Sequence, residues 1–239
     1  MTHLLSAAES VGVLLAPSAT RPPPQHRAVG SFASFAEAAG LDRRLLKAVA
    51  RCGFVYPTPV QAEALPLALA GKDLLLRSRT GSGKTAAYGL ALLQKLLSRK
   101  LMGGGGAGGG AASGVGALIL VPSRELCDQT AAALAQLAHY CNDVIRVVAL
   151  GGGSHAEQCA RLAEGPDVVV GTPGRVLAHI QAGTLPAAAL RSTCDTLVVD
   201  EVRVGGRRPY GVRARLHAHV CALCALGYPP PLAPRPPPG

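Results

Sequence analysis

The chain has 239 residues, 49% of them hydrophobic, which suits one large α/β domain or two small ones. Its 24 lysines and arginines outnumber 14 acidic residues, and the net charge of +10 favours a polyanionic partner. No apolar run approaches the ~20 residues that span a bilayer, so we expect no membrane partner. The 29 glycines follow no Gly-X-Y period, which excludes a collagen.

The seven cysteines are an odd number spread over a long chain. This pattern is typical of reduced thiols in an intracellular protein and not of a disulfide framework. Cys221 and Cys224 have the spacing of a zinc or redox pair, with His217 and His219 nearby. A structural zinc ion takes four ligands and no second cysteine pair exists, so a metal site there is a weak hypothesis.

Residues 1–30 contain a proline run and little hydrophobic periodicity, which predicts a disordered N-terminal extension. A transit peptide is a weaker interpretation because Glu9 interrupts the segment. A secretory signal is weaker still, since no basic segment precedes the short apolar run Val11–Leu15.

Beyond this extension, apolar periodicity predicts two helices, over residues 41–52 and 59–70. Five continuous apolar runs then suit strands buried on both faces, at Leu74–Leu76, Ala117–Val121, Ile145–Leu150, Val168–Val170 and Leu197–Val199. Helical stretches separate them, at Ala86–Lys100, Glu125–Tyr140, His155–Glu164 and Arg175–Ala182. The alternation predicts an α/β fold, a parallel sheet with helices on both faces. The glycine-rich segment 103–116 is predicted to be a flexible surface loop.

A glycine-rich turn from Ser78 to Thr85 follows the first of these strands and opens a helix, as a phosphate-binding loop does. Its glycines let backbone N–H groups surround a phosphate, and the helix N-terminus adds partial positive charge. Lys84 would reach the β- and γ-phosphates, and the Thr85 hydroxyl would hold Mg²⁺. A chance glycine-rich turn is the alternative. The predicted phosphate-loop contacts are Arg79, Thr80, Gly81, Ser82, Gly83, Lys84 and Thr85.

The second signal is acidic: two carboxylates, Asp200 and Glu201, follow the end of the last predicted strand. In phosphoryl-transfer sites such an aspartate holds Mg²⁺, partly through water, and the glutamate can act as general base. Acidic strand ends are also common as solvated loops. The preceding phosphate loop in the same alternating pattern favours the catalytic interpretation, with Lys84, Asp200 and Glu201 as catalytic residues.

From about Phe35 to Glu201 the chain resembles the DEAD-box RNA helicases. The stretch Gly53-Phe-Val-Tyr-Pro-Thr-Pro-Val-Gln61 is similar to their adenine-recognition motif. The resemblance implies that the Gln61 amide bonds both edges of adenine and that Phe35 packs against the base. It adds four residues to the ATP site, namely Phe35, Phe54, Pro59 and Gln61.

Three further segments resemble the family's RNA-contacting motifs. They are Pro122-Ser-Arg-Glu-Leu126, the glycine turn at Gly151–Gly153, and Thr172-Pro-Gly-Arg175. Their hydroxyl, guanidinium and backbone N–H groups suit the RNA backbone and its 2′-OH, and they do not read sequence. The implied RNA-binding residues are Pro122, Arg124, Glu125, Gly151, Gly152, Thr172, Pro173, Gly174 and Arg175.

The resemblance implies a RecA-like ATP-binding domain over residues 31–201, with ATP and Mg²⁺ as cofactors and RNA as partner. The segments 71–88, 137–141 and 166–171 are similar to the nucleolar subgroup that acts in large-ribosomal-subunit assembly. This implies a nuclear, nucleolar location and contact with pre-ribosomal particles. No obligate oligomer is expected.

The family pattern breaks after Glu201, where Val202 and Arg203 replace the last two residues of its four-residue signature. Residues 202–239 carry six arginines and no acidic residue, and we predict a disordered, non-homologous tail. A translated intron is one hypothesis for it. The resemblance places the next strand of the RecA-like sheet between the phosphate-loop strand and the strand that ends at Asp200. That strand and the second RecA-like domain are expected to be absent, which would leave the sheet incomplete and expose its edges.

The leading prediction is an ATP-dependent RNA helicase, present as an N-terminal portion. The alternative is a catalytically inactive nucleotide- and RNA-binding fragment from a truncated or mis-spliced gene. A small-molecule kinase is disfavoured by Gln61 and by the motif that ends at Arg175.

Overall fold

The computed structural model describes residues 30–103 and 114–200, together with two backbone strands at Val11–Leu15 and Val212–Arg215. Seven strands run in chain order as β1 Val11–Leu15, β2 Asp73–Arg77, β3 Ala117–Leu120, β4 Val147–Ala149, β5 Val168–Gly171, β6 Thr196–Val199 and β7 Val212–Arg215. Eight helices are described, namely α1 Phe32–Ala38, α2 Arg43–Arg51, α3 Pro59–Leu69, α4 Lys84–Gly103, α5 Arg124–Leu137, α6 His155–Ala163, α7 Pro173–Gln181 and α8 Ala187–Thr193.

The strands form one sheet in the order β1-β2-β7-β6-β3-β5-β4. The four strands β6, β3, β5 and β4 are parallel neighbours, with Ile119 of β3 opposite both Val198 and Val170. Each is a continuous apolar run because side chains are covered on both faces of the sheet. The predicted α/β sheet with helices on both faces is confirmed.

Two hydrophobic cores lie on opposite faces of the sheet. Ala117 and Ile119 belong to one core and Leu118 and Leu120 to the other, since successive strand residues point to opposite faces. The first core takes buried side chains from α1 to α5, and the second takes them from α6, α7 and α8. This layering fixes the strand ends at which the functional loops emerge.

Strand β7 corrects the expectation that the gap between β2 and β6 is empty. Val212–Arg215 lies in that gap, antiparallel to both neighbours, with Arg213 opposite both Leu75 and Val199. Strand pairing uses backbone N–H and C=O groups, which every non-proline residue carries, so an arginine-rich segment can pair without apolar periodicity. The strands β2 and β6 therefore each have a neighbour on this side.

A second difference concerns the N-terminal extension, for which we predicted disorder. Val11–Leu15 forms β1, which pairs in parallel with β2 from Val11 opposite Asp73 to Leu15 opposite Arg77. The remaining predictions for residues 1–29 and for the segments 201–211 and 216–239 fall outside the described residues, as does the Cys221–Cys224 pair. The glycine-rich loop is described only at its two ends, at residue 103 and from residue 114.

Among the described helices, none combines the length and apolar character needed to cross a membrane.

Candidate functional site

The phosphate loop and the Asp200 strand end open into one cavity. Strands β2 and β6 lie parallel to each other on either side of β7, so their carboxyl ends reach the same edge of the sheet. The cavity there measures about 310 Å³. Its walls are Thr80, Gly81, Gly83, Lys84, Thr85, Val121, Pro122, Leu126, Gln129, Thr130, Ala133 and Asp200.

Lys84 is the first residue of α4, and its ammonium group lies inside the phosphate loop. Its Nζ donates to the carbonyl oxygens of Ser78 and Arg79 at 3.0 and 2.9 Å. The Ser78 and Ser82 hydroxyls bond each other at 2.7 Å across the same loop. The lysine thus holds the loop closed through bonds that a phosphate oxygen can replace.

Gln61 links the adenine-type motif to the phosphate loop. Its Oε1 accepts the Thr58 backbone N–H at 2.8 Å, completing a capping box at the start of α3. Its Nε2 donates to the Gly83 carbonyl at 3.2 Å. The sequence resemblance implied adenine recognition by Gln61, whereas the structure shows this buried amide tying α3 to the loop.

The other adenine-motif residues gather around Phe32. This fully buried ring meets Phe35 edge-on at 6.0 Å between ring centroids and lies 5.5 Å from Phe54. Sequence analysis singled out Phe35 and Phe54 but missed the ring between them. Pro59 is exposed at the first position of α3, where its missing N–H costs nothing.

Asp200 is held by a hydroxyl from α4. The Tyr88 hydroxyl donates to Asp200 Oδ2 at 3.0 Å. Burial and then the Asp200 charge raise the pKa of Tyr88 well above its usual range, so the phenol stays neutral. Sequence analysis named Asp200 and Thr85 but not Tyr88 or Thr130.

The residues around the cavity fit a nucleotide triphosphate with Mg²⁺. Thr85 and Asp200 supply a hydroxyl and a carboxylate, the hard oxygen ligands that Mg²⁺ takes together with phosphate oxygens and water. Gly81 and Gly83 have φ of +78° and +88°, which opens backbone N–H groups to the cavity. Glu201, the predicted general base, lies outside the described residues.

The first two RNA-type segments contact each other at the ends of β3 and β4. Arg124 and Glu125 are exposed at the start of α5, and Pro122 lines the nucleotide cavity. A Cβ on Gly151 would lie 2.5 Å from Asp128 Oδ1 and 2.8 Å from the Arg124 carbonyl oxygen. The loop therefore needs a glycine for this close approach to α5, and it places Gly152 at the surface.

The third RNA-type segment begins α7 at the end of β5, between the other two. Thr172 is the N-cap, yet its hydroxyl makes no capping bond, so it is not committed to the helix. Pro173 and Gly174 form the first helical positions, and Arg175 is half-buried within the first turn. Because β3, β5 and β4 are adjacent, the three segments form one continuous edge beside the cavity.

The comparisons with known proteins support the same assignment. The model of the family described as DEAD/DEAH box helicase matches residues 58–219. The chain belongs to the DEAD/DEAH box helicase family. The match extends past Glu201, where our sequence resemblance ended, and it includes β7.

Individual helicases are similar over about two thirds of the chain. A probable ATP-dependent RNA helicase ddx56 of Dictyostelium discoideum is 43% identical over 69% of this chain. The ATP-dependent RNA helicase dbp9 of Schizosaccharomyces pombe is 41% identical over 67%. The crystal structure of a DEAD box protein from Methanococcus jannaschii matches 68% of the chain with a TM-score of 0.55 and 31% identity.

The matched region is a limited part of these relatives. It spans 23% of the Dictyostelium helicase, 26% of the fission-yeast one and 40% of the Methanococcus chain. The chain therefore spans less than half the length of each of these relatives.

A buried hydrogen-bond network joins the glycine turn to α7, and sequence analysis missed it. The fully buried Gln158 donates through Nε2 to the Leu150 and Gly152 carbonyls, at 3.4 and 3.0 Å. Its Oε1 bonds His179 Nε2 at 2.9 Å, and His179 Nδ1 bonds the Thr184 hydroxyl at 2.8 Å. The network couples the second RNA-type segment to the helix that begins with the third.

His155, Cys159 and His179 also lie within 4.8 Å of one another. The two imidazole rings are stacked with their centroids 4.5 Å apart. Both ring nitrogens of His179 are already hydrogen-bonded, to Thr184 and Gln158. His179 is therefore committed to the hydrogen-bond network, and the cluster is not a preformed metal site.

The five cysteines in the described part of the chain, Cys52, Cys127, Cys141, Cys159 and Cys194, are free thiols.

Proposed function

We propose that this chain binds ATP with Mg²⁺ and contacts RNA as the N-terminal RecA-like domain of a DEAD-box ATP-dependent RNA helicase. The observation that carries the proposal is the single cavity that holds Lys84, Thr85 and Asp200 together. A cation, a hydroxyl and a carboxylate around a glycine loop are the groups that bind a triphosphate and its magnesium ion.

Each residue has a distinct role in this proposal. Lys84 exchanges its bonds with the Ser78 and Arg79 carbonyls for phosphate oxygens. Thr85 and Asp200 hold Mg²⁺, which when bound neutralises charge on the phosphates. Glu201 activates the attacking water as general base. Phe35 and Phe54, which are half-buried against Phe32, are assigned to the adenine together with Gln61.

RNA binds along the neighbouring edge formed by the loops after β3, β4 and β5. Arg124 and Arg175 supply guanidinium groups for phosphates, and the uncommitted Thr172 hydroxyl can bond the sugar–phosphate backbone. These contacts carry no base readout, so binding is independent of sequence. Pro122 belongs to both regions, because the turn it occupies lines the nucleotide cavity and precedes Arg124.

The proposed cellular role is supported by the resemblance of segments 71–88, 137–141 and 166–171 to the nucleolar subgroup. The relatives ddx56 and dbp9 are themselves described as ATP-dependent RNA helicases. Within the proposal the partners are pre-ribosomal particles, and the location is the nucleolus. A fluorescently tagged chain is expected to overlap a nucleolar marker, and a uniform cytosolic signal would contradict this part.

Lys84→Ala tests the nucleotide site. We expect wild-type protein to bind a fluorescent ADP analogue in the presence of Mg²⁺. The variant should lose at least about tenfold in affinity, because a charge-assisted phosphate contact is worth roughly 1.5–3 kcal/mol. Lys47→Ala, an exposed lysine on α2, is the matched control and should bind as wild type does.

Turnover separates the two functional alternatives. ATP hydrolysis stimulated by RNA supports the helicase, whereas nucleotide binding without turnover supports the catalytically inactive nucleotide- and RNA-binding fragment. Equal ADP affinity in the Lys84→Ala and wild-type proteins would contradict the phosphate-loop assignment, on which both alternatives depend.

A further inference from the structure

Tyr88 is a polar side chain of α4 that contacts Asp200 at the end of β6. It lies three residues after Thr85, so the two side chains share one face of the helix. Its ring is 3% exposed and packs in the first hydrophobic core. From there its hydroxyl reaches Asp200, which lies 112 residues further along the chain.

The hydrogen atom on this hydroxyl has a defined acceptor. A neutral phenol has one proton, and Tyr88 donates it to Asp200 Oδ2, a carboxylate oxygen that can only accept. The bond from Tyr88 therefore fixes one oxygen of the Asp200 carboxylate.

This arrangement suits a cation site. A carboxylate with one oxygen fixed by a hydrogen bond is held in a defined orientation. The buried Tyr88 supplies that bond to Asp200, which lines the cavity together with Thr85.

We propose that Tyr88 is a positioning residue for Mg²⁺, fixing the Asp200 carboxylate in the orientation that the ion needs. The inference rests on the proposed function, in which Asp200 and Thr85 hold magnesium. Outer partners of this kind set the orientation of metal ligands, and their removal typically lowers metal affinity about 10–100-fold.

Tyr88→Phe tests the proposal because it removes the hydroxyl and keeps the buried ring. We would titrate free Mg²⁺ against the affinity for a fluorescent ADP analogue. In EDTA the variant should bind nucleotide as wild type does. The Mg²⁺ concentration that gives half of the magnesium-dependent gain in affinity should rise about 10–100-fold.

Tyr140→Phe is the matched control. Tyr140 is 41% exposed and lies beyond the end of α5, so removing its hydroxyl should leave the magnesium requirement unchanged. A Tyr88→Phe protein with the wild-type magnesium requirement would overturn the proposal. So would an equal loss of ADP affinity with and without Mg²⁺, because that result describes a general packing role.

Failure of the proposed function gives a different result. Wild-type protein that binds no ADP at any Mg²⁺ concentration would overturn both proposals together. Wild-type protein with magnesium-dependent binding, beside an unchanged Tyr88→Phe variant, would overturn only the role of Tyr88.

A measurement on wild-type protein covers the case in which Tyr88→Phe does not fold. With tyrosine ring carbons labelled with ¹³C, the Tyr88 resonance is the one retained in Tyr56→Phe, Tyr140→Phe, Tyr210→Phe and Tyr228→Phe. We expect it to shift when Mg²⁺ is added to the ADP complex. No shift at saturating Mg²⁺ would overturn the proposal.

Discussion

Gly83→Ala should lower the free energy of unfolding much more than Gly81→Ala does. Both glycines have positive φ, which costs an L-residue about 1–2 kcal/mol. A Cβ on Gly81 meets no atom within 4 Å, whereas a Cβ on Gly83 would lie 2.4 Å from Gln61 Nε2. The two substitutions therefore share the backbone cost and differ in the contact with Gln61.

Moving the Gln61 side chain costs free energy, because it is 4% exposed and its amide is hydrogen-bonded through both the oxygen and the nitrogen. Moving it breaks the bonds to the Thr58 N–H and to the Gly83 carbonyl, each worth about 0.5–1.5 kcal/mol net. Added to the backbone cost, Gly83→Ala should lose about 2–5 kcal/mol of unfolding free energy, against about 1–2 kcal/mol for Gly81→Ala.

Urea denaturation of the full chain measures both variants, and a double-mutant cycle with Gln61→Ala isolates the contact. In the Gln61→Ala background the side chain no longer obstructs the new Cβ, so Gly83→Ala should cost only about 1–2 kcal/mol. The reasoning is refuted if Gly83→Ala costs no more than Gly81→Ala. An equal Gly83→Ala cost in both backgrounds would refute it as well.

Two further predictions concern the RNA edge. Burial, and then the charges of His155 and Arg175, lower the pKa of His179 in the folded protein. The unfolded chain therefore takes up a proton at this histidine more readily than the folded protein does. The free energy of unfolding should fall as pH drops from about 6.5 toward the lower pKa of the folded state. His179→Gln should flatten this slope in urea denaturation at pH 5–8, and a slope equal to that of the exposed-site control His139→Gln would contradict it. Arg175→Ala should weaken binding to single-stranded RNA and reduce the slope of log affinity against log salt by about 0.7, the value for one phosphate contact. The exposed α8 residue Arg191 is the control, and equal slopes for Arg175→Ala and Arg191→Ala would exclude a phosphate contact at Arg175.

Local pattern was sufficient to predict the central strands and the phosphate loop. The run Val168–Val170 is apolar without alternation because both of its faces are buried, and it lies within β5. The turn from Ser78 to Thr85 can be recognised from its own residues, because two glycines permit the tight backbone and a lysine stands at the start of the helix. Its position between a strand and a helix followed from the neighbouring residues alone.

The sequence alone did not predict which residues individual side chains hydrogen-bond. Gln61 could be named from its motif, but its capping box and its bond to Gly83 depend on how α3 packs against the loop. The Gln158–His179 pair likewise has no sequence pattern, because its members come from two helices that only the sheet brings together.

By itself, the sequence determined which strands are buried, where a phosphate loop forms and which family the motifs resemble, because each depends on residues close together in the chain. The tertiary structure decided that β7 lies between β2 and β6 and that Tyr88 meets Asp200. Strand pairing uses backbone groups, so a paired strand such as β7 needs no particular side-chain pattern that could be recognised in the sequence. Tyr88 and Asp200 are 112 residues apart, so their hydrogen bond forms only when the sheet has assembled.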